Sequence, residues 1–153
     1  MAEAGKQGPS LAVIEDLDGD DAVGAYWGEI NTTVHKGFGL VGTVTNGLMR
    51  DLGDMAEDYP VLAGGIGPSH AFVHVRSIGQ PVTIFGMQVV SGDLVHADCH
   101  GALVIPDDLV GFLAAAIRKM QETEQLVLGP ARQTGFNFKA FEEAWAEFEK
   151  ART

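Results

Sequence analysis

Trp27-Gly28-Glu29-Ile30-Asn31, Gly37-Phe38-Gly39-Leu40-Val41-Gly42 and Thr45-Asn46-Gly47 read in succession as helix, turn, strand and turn. The N-terminal region of that helix and the end of that strand would then meet at one point. In α/β proteins such points hold ligands, because first-turn amides and strand ends both present unpaired polar groups there. Twenty residues separate Glu29 from Arg50, and Asp51 and Asp54 follow, giving Glu-x20-Arg-Asp-x-x-Asp. That spacing can set one cation and two carboxylates around a small anion.

Working outward, Leu11-Ala12-Val13-Ile14-Glu15 is a short apolar run closed by Asp16, Asp18, Gly19 and Asp20, and predicts a buried strand. From Ala22 to about Lys36, the positions Val23, Tyr26, Trp27, Ile30 and Val34 recur at helical spacing. Gly37 and Gly39 end that helix. Val41 to Thr45 is the next strand, stopped by Asn46-Gly47. Leu48 to Tyr59 carries Arg50-Asp51 and allows a short helix before Pro60.

Val61-Leu62-Ala63 predicts a short strand running into Gly64-Gly65-Ile66-Gly67-Pro68. These glycines read as a turn, since no Lys-Ser/Thr follows to make a phosphate loop. Strands are expected over 71–78, 82–85, 87–90, 94–97 and 102–105, with glycines between most of them. Pro106-Asp107-Asp108 opens a helix with its acids at the positive end of the helix dipole. Leu109, Val110, Leu113, Ile117 and Met120 form its apolar stripe. Gly129-Pro130 is expected to break the chain. A last helix over 138–151 places Phe138, Phe141, Trp145 and Phe148 on one face, a packing surface suited to a neighbouring subunit as well as to its own chain.

Composition narrows the class. A chain of 153 residues, 46% hydrophobic, can bury one sizeable core, and 20 glycines favour short strands and tight turns. The net charge of −11 repels phosphate backbones and anionic lipid, so nucleic acid and membranes are not expected partners. A single cysteine, Cys99, excludes an internal disulfide and a cysteine-rich zinc site, in keeping with a reducing cytoplasm. No apolar run reaches membrane-spanning length.

Several segments together resemble one family. They are Ala25-Tyr26-Trp27-Gly28-Glu29, the run Gly42 to Asp51, Ser91-Gly92-Asp93-Leu94-Val95-His96-Ala97-Asp98, and Gly101-Ala102-Leu103-Val104-Ile105-Pro106. In this order and at these intervals, over roughly Leu11 to Glu124, the chain is similar to the RraA-like proteins. These are the relatives of the regulator of ribonuclease activity A, and they include the divalent-metal-dependent 4-hydroxy-4-methyl-2-oxoglutarate and 4-carboxy-4-hydroxy-2-oxoadipate aldolases. The resemblance implies an α/β fold, the swivelling β/β/α domain, assembled as a trimer or a dimer of trimers with active sites between subunits. It assigns residues 1–128 to that domain and 129–153 to a linker and an added C-terminal helix. It also implies a longer N-terminal portion than this chain has before Leu11.

The resemblance further implies residue roles. Members that keep the acid, the spacer and Arg-Asp resemble the lyases, and those without them resemble the ribonuclease regulator. This chain keeps Glu29, Arg50, Asp51 and Asp54. Asp51 would then hold Mg²⁺ or Mn²⁺, largely through water, and Arg50 would bind the C2 oxygen of a 2-oxo acid. The backbone amides of Gly28, Glu29, Ile30 and Asn31 would hold the substrate carboxylate, and the Glu29 side chain would hold a water. An acid from a neighbouring subunit is also implied, with Glu124, or secondarily Glu122, in that place. The expected function is a metal-dependent lyase that cleaves short 2-oxo acids by retro-aldol chemistry or decarboxylates oxaloacetate, both through a pyruvate enolate. The competing expectation is a non-catalytic regulatory protein on the same fold. Taken alone, Glu29 reads equally as an exposed helix residue, and Arg50-Asp51 as a structural ion pair.

The histidines raise a separate question. His70 and His74 would lie on one face of a strand about 13 Å apart, too far to share an ion. His96, Asp98 and His100 would share a strand face and make a second, alternative transition-metal site. Cys99, pointing the other way, is expected to be a small buried filler.

Overall fold

The structure is a computed structural model that describes residues 8–152, and it divides into two compact units, one ending at Ile105 and the other starting at Pro106. In the first unit, β1 (Ser10–Ile14), α1 (Glu29–Gly37) and β2 (Leu40–Thr45) form a parallel crossover. β4 (Val61–Leu62) adds to the other edge of β2, giving the order β1-β2-β4. The register sets Ala12, Val13 and Ile14 opposite Thr43, Val44 and Thr45, and Thr43 and Val44 opposite Val61 and Leu62. A second parallel pair joins β3 (Leu48–Met49) to β5 (Gly65–Ile66). Two antiparallel hairpins complete the unit, β6 (Val82–Ile84) with β7 (Met87–Val89) and β8 (Leu94–Asp98) with β9 (Gly101–Ile105).

Strand β2 is flanked on both sides, so it buries Leu40, Thr43, Val44 and Thr45. Its two threonines keep their hydroxyls satisfied there. Thr43 Oγ1 is 2.9 Å from the Tyr59 hydroxyl, and Thr45 Oγ1 accepts the Gly47 amide. Trp27, Leu40 and Tyr59 form the core, with Ala12, Ile14, Tyr26, Met49, Ala56 and Val61 packed around them. The Trp27 ring stacks at 6.2 Å on Tyr59 and meets the buried His35 ring at 4.7 Å. Asn46 ties the ends of β1 and β2 together, its side chain bonding both the amide and the carbonyl of Asp16.

Three expectations are corrected. The helix expected from Ala22 starts only at Glu29. Residues 22–28 are drawn out because Ala25 N–H bonds Ser69 O at 2.8 Å and Trp27 bridges in parallel to Met49. Gly24 is buried so tightly against this neighbour that a Cβ there would meet Val73 Cγ1 at 2.5 Å. The helical spacing of Val23, Tyr26 and Trp27 is therefore coincidental, overridden by tertiary pairing. No short helix follows Leu48; Asp51 instead closes a turn by accepting the amides of Asp54 and Met55. Residues 71–78 form no strand, since no described strand offers them an edge, and Phe72 and Ile78 are exposed.

The second unit is a helical pair, α2 (Asp107–Ala131) and α3 (Phe138–Arg152). α2 does not break at Gly129-Pro130 but runs through it to Ala131. Pro130 lies in the last turn, where its missing N–H removes only one intrahelical bond. The expected aromatic stripe is present, with successive ring centroids from Phe138 through Phe141 and Trp145 to Phe148 separated by 6.1, 5.7 and 5.2 Å. Leu109, Val110, Ile117 and Met120 of α2 are exposed. Among the described residues, no helix is long and apolar enough to cross a membrane.

Candidate active site

The start of α1 meets the end of β3, a strand the spacing did not predict; the expected partner was the end of the 41–45 strand. Gly28 caps α1 in an extended conformation, and its carbonyl accepts the Thr32 amide at 3.0 Å and the Thr32 hydroxyl at 2.9 Å. Thr32 Oγ1 in turn accepts the Ala56 amide at 3.0 Å, which binds the loop after Asp51 to the helix. From the other side, Arg50 N–H bonds Trp27 O at 2.7 Å. Arg50 and Asp51 are thus set beside the first turn of α1 by backbone bonds.

Asp51 has φ 55°, a left-handed conformation that carboxamide and carboxylate residues tolerate better than most. This directs Oδ2 to the Glu29 amide and to Arg50 Nε, each at 3.2 Å. The Glu29 amide is one of the first-turn donors that an α-helix leaves without an intrahelical partner. Those of Ile30 and Asn31 belong to the same turn. Asp51 Oδ1 makes no hydrogen bond among the described residues, and the side chain is 38% exposed.

Arg50 is held more deeply, at 13% exposure. Both Nη1 hydrogens are taken, by Ala25 O at 2.6 Å and Tyr26 O at 3.1 Å. Nη2 has no acceptor within reach among the described residues. The Asn31 side-chain amide also bonds Tyr26 O. A cleft opens here, lined by Tyr26, Ile30, Asn31, Arg50, His70 and Val73. Gly28 is required by space. A Cβ at that position would lie 2.4 Å from Asp51 Oδ2 and 2.9 Å from both Cγ and Cζ of Arg50.

Gly28, Glu29, Ile30, Asn31, Arg50 and Asp51 therefore occupy one locality. Glu29 and Asp54 are exposed there, and they do not combine with Asp51 into a close three-donor cluster. Glu124 lies on α2 in the second unit, exposed, beside Val127, Leu128, Trp145 and Phe148. Sequence reading missed His70 and Val73 as cleft residues and Thr32 as the link between α1 and the loop. The Gly-rich turn just before His70 was a signal for a close approach of the backbone.

The histidine cluster also differs from expectation. His96 and Asp98 lie on β8, but His100 lies in the two-residue turn between Asp98 and Gly101. Cys99 shares that turn and is exposed, so it is not a buried filler. Hairpin turns are solvated at their tips, and a side chain there has no core to enter.

Known proteins place this architecture. A family model described as RraA-like, Aldolase/RraA, matches residues 3–104. Protein DlpA of Legionella pneumophila is 28% identical over 134 residues, 82% of this chain and 22% of that protein. The uncharacterized protein MJ0644 of Methanocaldococcus jannaschii is 28% identical over 67% of this chain and 50% of its own length. The chain thus spans half or less of these two relatives. A crystal structure of an uncharacterized protein from Pseudomonas syringae superimposes with a TM-score of 0.69 at 25% identity, over 97% of this chain and 70% of that one. Streptomyces coelicolor RraAS2, described as an unusual member of the RNase ES inhibitor RraA protein family, shares the fold with a TM-score of 0.65 at 23% identity, over 79% and 63% of the two chains. Sequence and mixed α/β fold agree, and the chain belongs to the RraA-like family.

Proposed function

We propose that this protein is a divalent-metal-dependent lyase for short 2-oxo acids. It cleaves substrates of the 4-hydroxy-4-methyl-2-oxoglutarate type by a retro-aldol reaction and decarboxylates oxaloacetate, both through the pyruvate enolate. One observation carries this reading. Arg50 keeps its Nη2 donors without an acceptor among the described residues, at a cleft bordered by the first turn of α1.

The donor set suits a hard cation such as Mg²⁺ or Mn²⁺. Asp51 offers one carboxylate oxygen with no partner among the described residues, and Mg²⁺ is commonly held by one or two carboxylates, with water and substrate supplying the other ligands. When bound, the ion supplies Lewis-acid stabilisation of charge on the substrate oxygens. The remaining work falls to the chain. The amides of Ile30 and Asn31 bind the substrate carboxylate, and Arg50 Nη2 donates to the C2 oxygen. As the C3–C4 bond breaks, its electron pair becomes the enolate, and the fixed Arg50 charge stabilises the developing oxyanion. The C4 hydroxyl proton leaves through a water held by Glu29 and is returned to C3 of the enolate, giving pyruvate; in decarboxylation CO₂ leaves and C3 takes its proton from the same water.

A homotrimer or hexamer is part of the proposal, with Glu124 reaching the site of a neighbouring subunit. The exposed apolar residues of α2 support such assembly. A second reading, a non-catalytic regulator, draws support from the hydrogen bonds of Arg50 to Ala25 O and Tyr26 O, because a purely structural arginine would make the same ones. The kinship with RraAS2 adds to it. Pyruvate release from both substrates, measured by a coupled assay with EDTA and then with added Mg²⁺ or Mn²⁺, separates the readings. Absence of metal-dependent release from either substrate overturns the lyase.

A further inference from the structure

The β8–β9 hairpin tip brings three consecutive residues together in a way that a strand cannot. Alternation sends neighbouring side chains to opposite faces, but the two-residue turn Cys99-His100 bends them back toward Asp98. The turn depends on Gly101, whose φ of 148° falls in the region that favours glycine. Donor atoms of Asp98, Cys99 and His100 all lie within 4.8 Å of one another. Cys99 Sγ is 3.4 Å from His100 Nδ1, and Asp98 Oδ2 is 3.3 Å from the same nitrogen.

The two separations from His100 Nδ1 match the edges of a tetrahedral ion, and Cys99 Sγ and the Asp98 carboxylate lie within 4.8 Å of each other. With metal–nitrogen or –oxygen bonds of about 2.05 Å and a metal–sulfur bond of about 2.3 Å, tetrahedral edges are about 3.4–3.6 Å. The carboxylate is already oriented. Asp98 Oδ1 accepts the His100 amide at 2.8 Å, which leaves Oδ2 turned toward the imidazole. His96 Nε2 stands 3.7 Å from the same Oδ2. All of this is solvent-accessible, with Asp98 47% and His100 86% exposed.

We propose that Asp98, Cys99 and His100 form a second metal site, for a borderline transition-metal ion of the Zn²⁺ or Co²⁺ type, separate from the hard-cation chemistry at Asp51. Thiolate and imidazole select such ions over Mg²⁺. Three protein ligands leave the fourth position open to water or to an incoming ligand.

The test is a Co²⁺ titration of the reduced, EDTA-stripped full-length protein, followed by absorption. One equivalent is expected to bring up thiolate-to-cobalt charge transfer, to be displaced by Zn²⁺ and to be unaffected by excess Mg²⁺. Cys99→Ser should abolish the charge-transfer band, and Asp98→Asn and His100→Ala should each weaken Co²⁺ binding by about tenfold or more. Asp51→Asn should leave the band in place while removing Mg²⁺-dependent pyruvate release. No thiolate band in the unaltered protein, a band that survives Cys99→Ser, affinity unchanged by both other substitutions, or loss of the band in Asp51→Asn would each overturn the assignment.

Discussion

The carboxylate of Asp51 accepts the backbone amide of Glu29 at 3.2 Å, across 22 positions of sequence. One hydrogen bond therefore joins the helix start to the Arg-Asp turn, and the site depends on the space in which it forms.

Gly28 is the tightest part of that space. Its extended φ of −164° suits any residue, so the constraint is the room for a side chain and not backbone strain. Gly28→Ala must push Asp51 Oδ2 and the Arg50 side chain away from a Cβ that would lie 2.4 and 2.9 Å from them. Activity should fall about 100-fold, as for a misplacement of about 1 Å in a catalytic group. Overpacking should cost about 1–3 kcal/mol, read by urea unfolding. Near-normal kcat/KM in the variant would mean that the Arg50–Asp51 geometry is not needed for catalysis.

Arg50→Lys tests whether charge alone suffices. Lysine keeps the cation but cannot bond Ala25 O and Tyr26 O while also presenting a second planar donor pair to the cleft. We expect kcat to drop by about 10²–10³, the usual loss on removing one oxyanion donor, with the oligomer unchanged on size-exclusion chromatography. Arg50→Ala should be at least as severe. Wild-type turnover in both variants would move the site elsewhere.

Thr32→Val probes the link between helix and loop. The substitution is nearly isosteric but removes the oxygen that accepts the Ala56 amide and donates to the Gly28 carbonyl. The Ala56 amide is half-buried, so leaving it without a partner costs at most about 1–3 kcal/mol, the penalty of a fully buried group. The urea midpoint should fall accordingly, and KM should rise as the loop carrying Asp51 loosens. An unchanged midpoint would show that the loop is held by other contacts.

Tyr59 gives the fold an alkaline limit. Burial pushes its phenol above the ordinary value of 10.0, and the hydrogen bond with Thr43 only partly offsets this. The folded state therefore holds the proton more tightly than the unfolded chain. The stability this gives is fully present below pH 10.0 and is lost as pH rises through the higher folded value. Unfolding midpoints measured from pH 8 upward should decline above about pH 10. Tyr59→Phe should flatten that decline, and an equally steep one in the variant would assign it to other groups.

Sequence periodicity was a sound guide where an element's own residues and its immediate neighbours agree. β1, β2, the two hairpins, the start of α2 and the aromatic face of α3 all lie where spacing and turn residues put them. It failed where a distant partner outweighed local preference. Residues 22–28 have helical spacing but are extended, because Ser69 and Met49 supply backbone bonds from far along the chain. Residues 71–78 have strand composition but no edge to pair with, and strand pairing, not propensity, makes a strand.

The site divides in the same way. Glu29, Arg50 and Asp51 and their spacing are written in the sequence, and so is the family they belong to. Three-dimensional packing alone decided the rest. It crowded Gly28 by bringing Asp51 Oδ2 to where a Cβ would stand, and it brought His70 to the Arg50 cleft. It also placed Cys99 on an exposed turn beside Asp98 and His100. Local sequence carries propensity and spacing, but the room around a residue depends on which remote segments fold against it.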